Sequence, residues 1–216
     1  MAANLAPLVE RAAQTLAALA RPAAPGHALG EPSRAHVLTW LERLVEWNAR
    51  IDLTAARSDE ELVDLMLADA LVLAPALEPG ARLIDVGTGA GAPGLALALL
   101  RPDLRVTLVE PLGKRAAFLR TVVGAVGRSD VVIERVRGET LGGRRAWDAA
   151  VARATLAPQP WLDLAVTLAP QGGSVWVLLA REEPPAHARA VVEQDVRYTW
   201  PLTGMARRAV RYRLVS

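Results

Sequence analysis

Through the first 80 residues, apolar side chains recur every three or four positions. Beyond them they bunch into short runs, and this change of period divides the chain in two. Residues 4–20 have helical spacing, and "RPAAPG" at 21–26 ends the helix, because two prolines and a glycine cannot continue it. A second helix is predicted over 33–50, where Val37, Leu38, Leu41, Leu44, Val45 and Asn48 form a stripe flanked by Trp40 and Trp47. A third starts at Ser58, whose hydroxyl caps it while Glu61 completes an S-x-x-E box, and runs to about Leu73.

From Arg82 the runs "RLIDVG", "RVTLVE", "VVIERV", "WDAAVAR" and "GSVWVLLA" read as strands, separated by helices at 93–101, 113–126 and 159–168. Strands alternating with helices imply right-handed crossovers, a mainly parallel sheet and helices on both faces. A further helix is expected near 185–194, followed by two strands, "VRYTWPL" and "RRAVRYRLV", joined around Gly204. The expected organisation is a helical extension over residues 1–80 and a doubly wound, Rossmann-like α/β domain over 81–216, without internal repeats.

Composition excludes some chemistry. With 52% hydrophobic and 22% charged residues the chain is of ordinary globular type, and with 0 cysteines it has no disulfide, thiolate metal site or thiol nucleophile. No apolar stretch reaches the roughly 18 residues needed to span a bilayer. The N-terminus has Glu10 and Arg11 within its apolar segment and no basic leader. A cytoplasmic protein with no membrane and no metal partner is expected. The net charge is only +2, and Lys114 is the only lysine, so arginine dominates the bases and the pI is near 9.6. That balance permits nucleic-acid binding without requiring it.

The richest stretch is "LIDVGTGAGAPG", Leu83 to Gly94. It reads both as G-x-G-x-x-G (Gly89, Gly91, Gly94) and as D-x-G-x-G-x-G (Asp85, Gly87, Gly89, Gly91). Glycines at a strand-to-helix turn let a ligand approach bare backbone, and the following helix start offers free N–H groups. Glu110, ending the second strand, stands where a carboxylate accepts ribose hydroxyls. Loop and acid together indicate an adenosine-containing cofactor. A nicotinamide oxidoreductase remains open on the glycines alone. It would need a proton donor or acceptor beside the cofactor, and the chain has no Y-x-x-x-K pair and only His27, His36 and His187.

Further stretches carry the reading to a family. "WNARIDLTAARSDEELVDLMLADAL" (47–71), the glycine segment, "LVEPLGKRAAFLR" (108–120), "RGE" (137–139) and "DAAVARA" (148–154) occur in order. Together they resemble the bacterial 16S ribosomal RNA guanine-N7 methyltransferases, the RsmG or GidB family, from Trp47 to about Gly173. The resemblance implies a seven-stranded class I methyltransferase sheet, S-adenosylmethionine as cofactor, and 16S ribosomal RNA or the small subunit as partner; a monomer is expected. Carried over by position, Asp85, Gly87, Gly89, Gly91 and Ala92 would form the cofactor loop, and Glu110 would hold the ribose. Gly138 and Glu139 would meet the adenine, and Arg153 would stand beside cofactor and target as the catalytic arginine.

Guanine N7 carries a lone pair outside Watson–Crick pairing, so methyl transfer to it needs alignment and exclusion of water rather than a strong base. A site poor in His, Lys and Tyr suits that reaction; it equally suits a cofactor-binding homologue without turnover or with another substrate. The RNA-binding candidates are Lys114 and Arg115 after the second strand and Arg207, Arg208, Arg211 and Arg213 in the last. An arginine-decorated edge strand as protection against aggregation is the other reading of the last four. The chain departs from the family pattern on the substrate side. Met66 and Ala70 replace a histidine and a serine around Asp69, Pro111 follows the acid, and Leu179 and Ala180 stand in place of a lysine–glycine pair.

Overall fold

The computed structural model describes residues 4–17 and 30–216. The expected helix end at 18–20, the break at 21–26 and His27 lie outside the described residues. Helix α1 (Ala6–Ala17) buries Val9, Ala12, Ala13 and Leu16 at helical spacing. Helix α2 (Glu31–Asn48), with a proline in its first turn, buries Val37, Leu41 and Leu44. Trp40, expected at the flank of that stripe, is fully buried within it. Asn48 serves a different purpose from the stripe, since its Oδ1 accepts the N–H groups of Leu53 and Thr54 at 2.8 and 3.0 Å and folds back the chain leaving the helix.

Ser58 caps α3 (Asp59–Val63) by accepting the Glu61 N–H at 3.1 Å, and Glu61 in turn accepts from Arg57 N at 2.8 Å. The helix does not run evenly to Leu73. A π-helical turn, Asp64–Ala68, separates α3 from α4 (Asp69–Leu73).

Seven strands form one sheet: β1 (Arg82–Val86), β2 (Arg105–Val109), β3 (Val132–Glu134), β4 (Ala149–Ala152), β5 (Ser174–Leu179), β6 (Ala190–Thr199) and β7 (Ala206–Leu214). Their order is β3-β2-β1-β4-β5-β7-β6, parallel except for β7 and β6, with α5 (Gly94–Leu100), α6 (Gly113–Ala125) and α7 (Pro158–Leu168) as crossovers. The strand order reverses between β1 and β4, where sheets of this type bind ligands at the carboxyl ends of their strands.

The helix expected near 185–194 is absent. Residues from Ala190 instead begin β6, pairing along β7 from Ala190↔Leu214 to Thr199↔Ala206 with a bulge between Val192 and Gln194. As the sheet's edge strand, β6 is wet along most of its length, so it lacks apolar alternation and its "VEQD" reads like the polar face of a helix. β7 is not the edge; it is hydrogen-bonded between β5 and β6.

Two apolar cores fill the layers. One side of the sheet packs against α1–α6 through residues such as Leu83, Leu95, Phe118, Trp40 and Leu67, and the other packs against α7 through Ile84, Trp161 and Val177. The amino-terminal helices thus share a core with the sheet. Polar ties cross the same boundary. Arg101, buried after α5, donates to the Ala74 and Leu77 carbonyls at 2.6 and 3.1 Å and is clamped by Asp103. That guanidinium holds the Asp103 carboxyl well below the usual carboxylate range. Trp40 Nε1 donates to the Ala90 carbonyl at 3.0 Å, joining α2 to the turn after β1.

Trp40→Phe keeps most of the apolar burial but leaves the Ala90 carbonyl without its donor. Urea unfolding should show a loss of about 1–2 kcal/mol, the usual cost of orphaning a buried acceptor.

Candidate functional site

The turn from β1 to α5 is held from below by its own strand. Asp85 is fully buried, and its Oδ2 accepts the Gly94 N–H at 2.7 Å, while Oδ1 has no partner. Burial pushes its carboxyl up to about 6. Gly87 takes φ +70°, and a Cβ there would strike the Thr155 side chain, whose hydroxyl donates toward the Val86 and Gly87 carbonyls at 3.2 and 3.1 Å. Gly89, at φ +60°, has open space where a side chain would stand and presents backbone to the cavity.

That cavity, about 650 Å³, opens at the carboxyl ends of the parallel strands. Gly87, Gly89, Ala92, Glu110, Gly138, Glu139 and Arg153 all line it, arriving after β1, β2, β3 and β4. Asp85 and Gly91 do not; Asp85 stands behind the turn, and Gly91 faces Leu95 and Trp40. The Glu110 carboxylate is buried and accepts the Gly89 N–H at 3.0 Å and the Leu112 N–H at 2.8 Å, which fixes it at the cavity wall. Leu53, Thr54, Ala55, Leu65 and Met66 close the side formed by the amino-terminal segment.

Arg153 stands where this cavity meets a second hollow of about 410 Å³, and it lines both. Its side chain is 17% exposed; Nη1 reaches Asp69 Oδ2 at 3.2 Å and also donates to the Leu65 carbonyl. Ala154, next in the chain, is in the left-handed region at φ 53°, a strained conformation for a residue other than glycine. Asp69 also accepts Tyr198 Oη–H at 2.7 Å and Trp200 Nε1–H at 3.1 Å. Burial, and then the neighbouring Asp69 charge, hold the Tyr198 phenol above its ordinary range, so it remains a donor. Asp64, whose carboxyl burial also raises, accepts from Leu202 N, Thr203 N and Thr203 Oγ1 at 2.8–3.2 Å.

The candidate RNA-binding residues are dispersed. Arg115 lines the large cavity, while Lys114 lies beside Trp47 and Arg50 in a separate surface hollow. Arg207 lies over the Trp200 ring at 4.0 Å, at the second hollow, and forms no ion pair among the described residues. Arg208 projects to the opposite face, clamped by Asp195 at 2.6 and 2.8 Å and by Glu183 at 3.1 Å. Arg211 and Arg213 approach Glu193, at 3.3 and 3.7 Å.

Some site residues carried no sequence signal of their role. Thr155, Tyr198 and Trp200 are single polar or aromatic side chains whose partners lie far along the chain. Asp69 was legible only as the acid retained inside "MLADAL". The substrate-side departures are close to the site. Met66 and Pro111 line the large cavity, Leu179 lines the second hollow, and Ala70 is buried beside Asp69.

Among the described residues no group of His, Asp or Glu could hold a metal ion, and no helix is long and apolar enough to cross a membrane. The family model for rRNA small subunit methyltransferase G matches residues 34–195. The chain is 36% identical over 210 residues to the ribosomal RNA small subunit methyltransferase G of Anaeromyxobacter sp. strain Fw109-5, covering 92% of this chain and 94% of that one. It is 35% identical over 178 residues to the protein of the same name from Myxococcus xanthus, covering 77% and 82%. In fold it is similar to TrmN from Thermus thermophilus (TM-score 0.53, 22% identity, 71% of this chain and 48% of that one). It is likewise similar to P. horikoshii TYW2 in complex with MeSAdo (TM-score 0.56, 12% identity, 77% and 66%).

Asp85 yields a pH prediction. Its pKa in the fold, about 6, exceeds the ordinary 3.8, so the folded state holds the proton more tightly. Its contribution to stability therefore falls as pH rises through that interval and is level above it. Asp85→Asn keeps a carbonyl acceptor for Gly94 N. In denaturant titrations the variant should gain about 3 kcal/mol on the native chain between acid and neutral pH and show no further gain beyond.

Proposed function

The chain belongs to the rRNA small subunit methyltransferase G family, and on that premise we propose how its cavity works as an S-adenosylmethionine-dependent methyltransferase of 16S ribosomal RNA, acting on guanine N7. The observation that carries the reading is the convergence, at one cavity, of a bare glycine turn and a buried acid, Glu110, at the sheet's switch point. The open space at Gly89, where a side chain would intrude, and the 650 Å³ of volume fit an adenosine cofactor.

When bound, S-adenosylmethionine supplies an electrophilic methyl group on its sulfonium. In this reading Glu110 accepts the ribose hydroxyls, and Gly138 and Glu139 flank the adenine. Asp85, Gly87, Gly89, Gly91 and Ala92 shape the turn along the methionine end. Arg153, at the opening toward the second hollow, orients the acceptor base against the methyl group. No proton moves before transfer, because the N7 lone pair is free; the chain's task is to align the acceptor and exclude water. Leu53, Leu65 and Met66 supply the apolar wall that does so.

RNA phosphates would be met by Lys114, Arg115, Arg207, Arg208, Arg211 and Arg213. Arg207 and Arg115 are the best placed, since they face the two openings. In this reading the enzyme acts as a monomer in the cytoplasm, where its ribosomal RNA acceptor is made.

The test is transfer of labelled methyl to small subunits lacking this modification, followed by mapping of the label. Label at a guanine N7 is expected. Cofactor binding without label, or label on another atom, overturns the acceptor assignment and favours an inactive homologue or another substrate. Glu110→Gln should weaken S-adenosylmethionine about tenfold in a binding titration, the scale of losing a charged hydrogen-bond acceptor. Arg207→Ala should lower the salt dependence of RNA binding by about one phosphate contact, and Arg208→Ala by less, because its guanidinium is already clamped.

A further inference from the structure

The π-helical turn Asp64–Ala68 brings two carboxylates to bear on one hairpin. Asp64 and Asp69 are five residues apart, which in a regular α-helix would set them about 140° from each other. The wider turn brings both toward the β6–β7 hairpin. Asp64 holds the hairpin's connecting turn at Leu202 and Thr203. Asp69 takes the two donors at the end of β6, Tyr198 and Trp200, which are two residues apart and so face the same side.

The division of labour on Asp69 is informative. Both neutral donors converge on Oδ1, at 2.7 and 3.1 Å, leaving Oδ2 to Arg153 at 3.2 Å. Asp69 is 2% exposed, so its rotation is restricted by packing as well as by these bonds. The same π turn contributes the Leu65 carbonyl that receives Arg153 Nη1. The guanidinium is thus located by groups on one helical segment, and that segment's carboxylate is oriented by a hairpin 129 residues further along the chain.

We propose that Tyr198 and Trp200 are positioning residues that act through Asp69 to hold Arg153 at the mouth of the cofactor cavity, so that the carboxyl-terminal hairpin sets the geometry of the transfer site. The inference rests on the reading of Arg153 as a cofactor- and acceptor-facing group. Both aromatic residues line the second hollow but not the large cavity, so any effect they have on cofactor binding is indirect.

A double-mutant cycle on the full chain, read as S-adenosylmethionine affinity by titration, tests this. Tyr198→Phe removes only the hydroxyl, and Trp200→Phe, run in parallel, removes the indole donor together with part of the ring. Each should weaken the cofactor about fivefold in the native background, as expected for a loosened charged contact. Each should have no further effect in the Arg153→Met background, because the group they position is gone. Equal weakening in both backgrounds would mean a general structural role and would overturn the proposal, as would a loss below about twofold in the native background. The readout contains no RNA, so a failure of methyl transfer to ribosomal subunits falls on the acceptor assignment and not on this coupling.

Discussion

A turn made of glycines has almost no side chains with which to hold itself, and the geometry of the site depends on three groups that reach it from elsewhere. Asp85 grips the start of α5 through the Gly94 N–H, Glu110 grips Gly89, and Trp40 grips Ala90. They come from β1, from the end of β2 and from α2. Each replaces a bond that the turn cannot make internally while its backbone stays open toward the cavity. The cost is a fully buried carboxylate, and burial is why Asp85 holds a proton above the ordinary acid range.

Bracing from outside explains why the amino-terminal helices share a core with the sheet rather than standing apart from it. α2 reaches the glycine turn, the segment folded back by Asn48 supplies Leu53 and Thr54 to the cavity wall, and Arg101 ties the end of the helical region to α5. The sheet alone would offer strand ends and loops; the helices turn those ends into an enclosed volume. Of the departures from the family pattern, Met66 lies on this added wall, Pro111 beside Glu110 at the same cavity, and Leu179 and Ala180 at the second hollow. The acid and glycine positions of the family pattern are present here.

The arginines divide by their partners. Arg101 and Arg128 are internal clamps, each paired with an aspartate two residues on and capping helix carbonyls. Arg208, Arg211 and Arg213 lean on Asp195, Glu183 or Glu193. Arg207, stacked on Trp200, keeps its charge directed outward beside the second hollow. Arg115 and Arg207 thus bring positive charge to the openings of the two hollows.

By itself the sequence determined what is local in period or fixed by backbone chemistry. Five parallel strands announced themselves as short apolar runs, the glycine turn by its missing side chains, Glu110 by its place after the second strand, and the Ser58 cap by its spacing. The motif set led directly to the family. Other features were decided only by tertiary structure, because they rest on partners distant in the chain. Residues 190–199 became a strand, not the expected helix, because β7 was there to pair with them, and an edge strand open to water carries no alternation to read. Trp40 moved from the flank of its helix to the core because Ala90 and Gly91 lay opposite. Asp69, Tyr198, Trp200 and Arg153 became one network only when the π turn and the hairpin met, and no local pattern specifies a contact that requires both ends of the chain to be folded first.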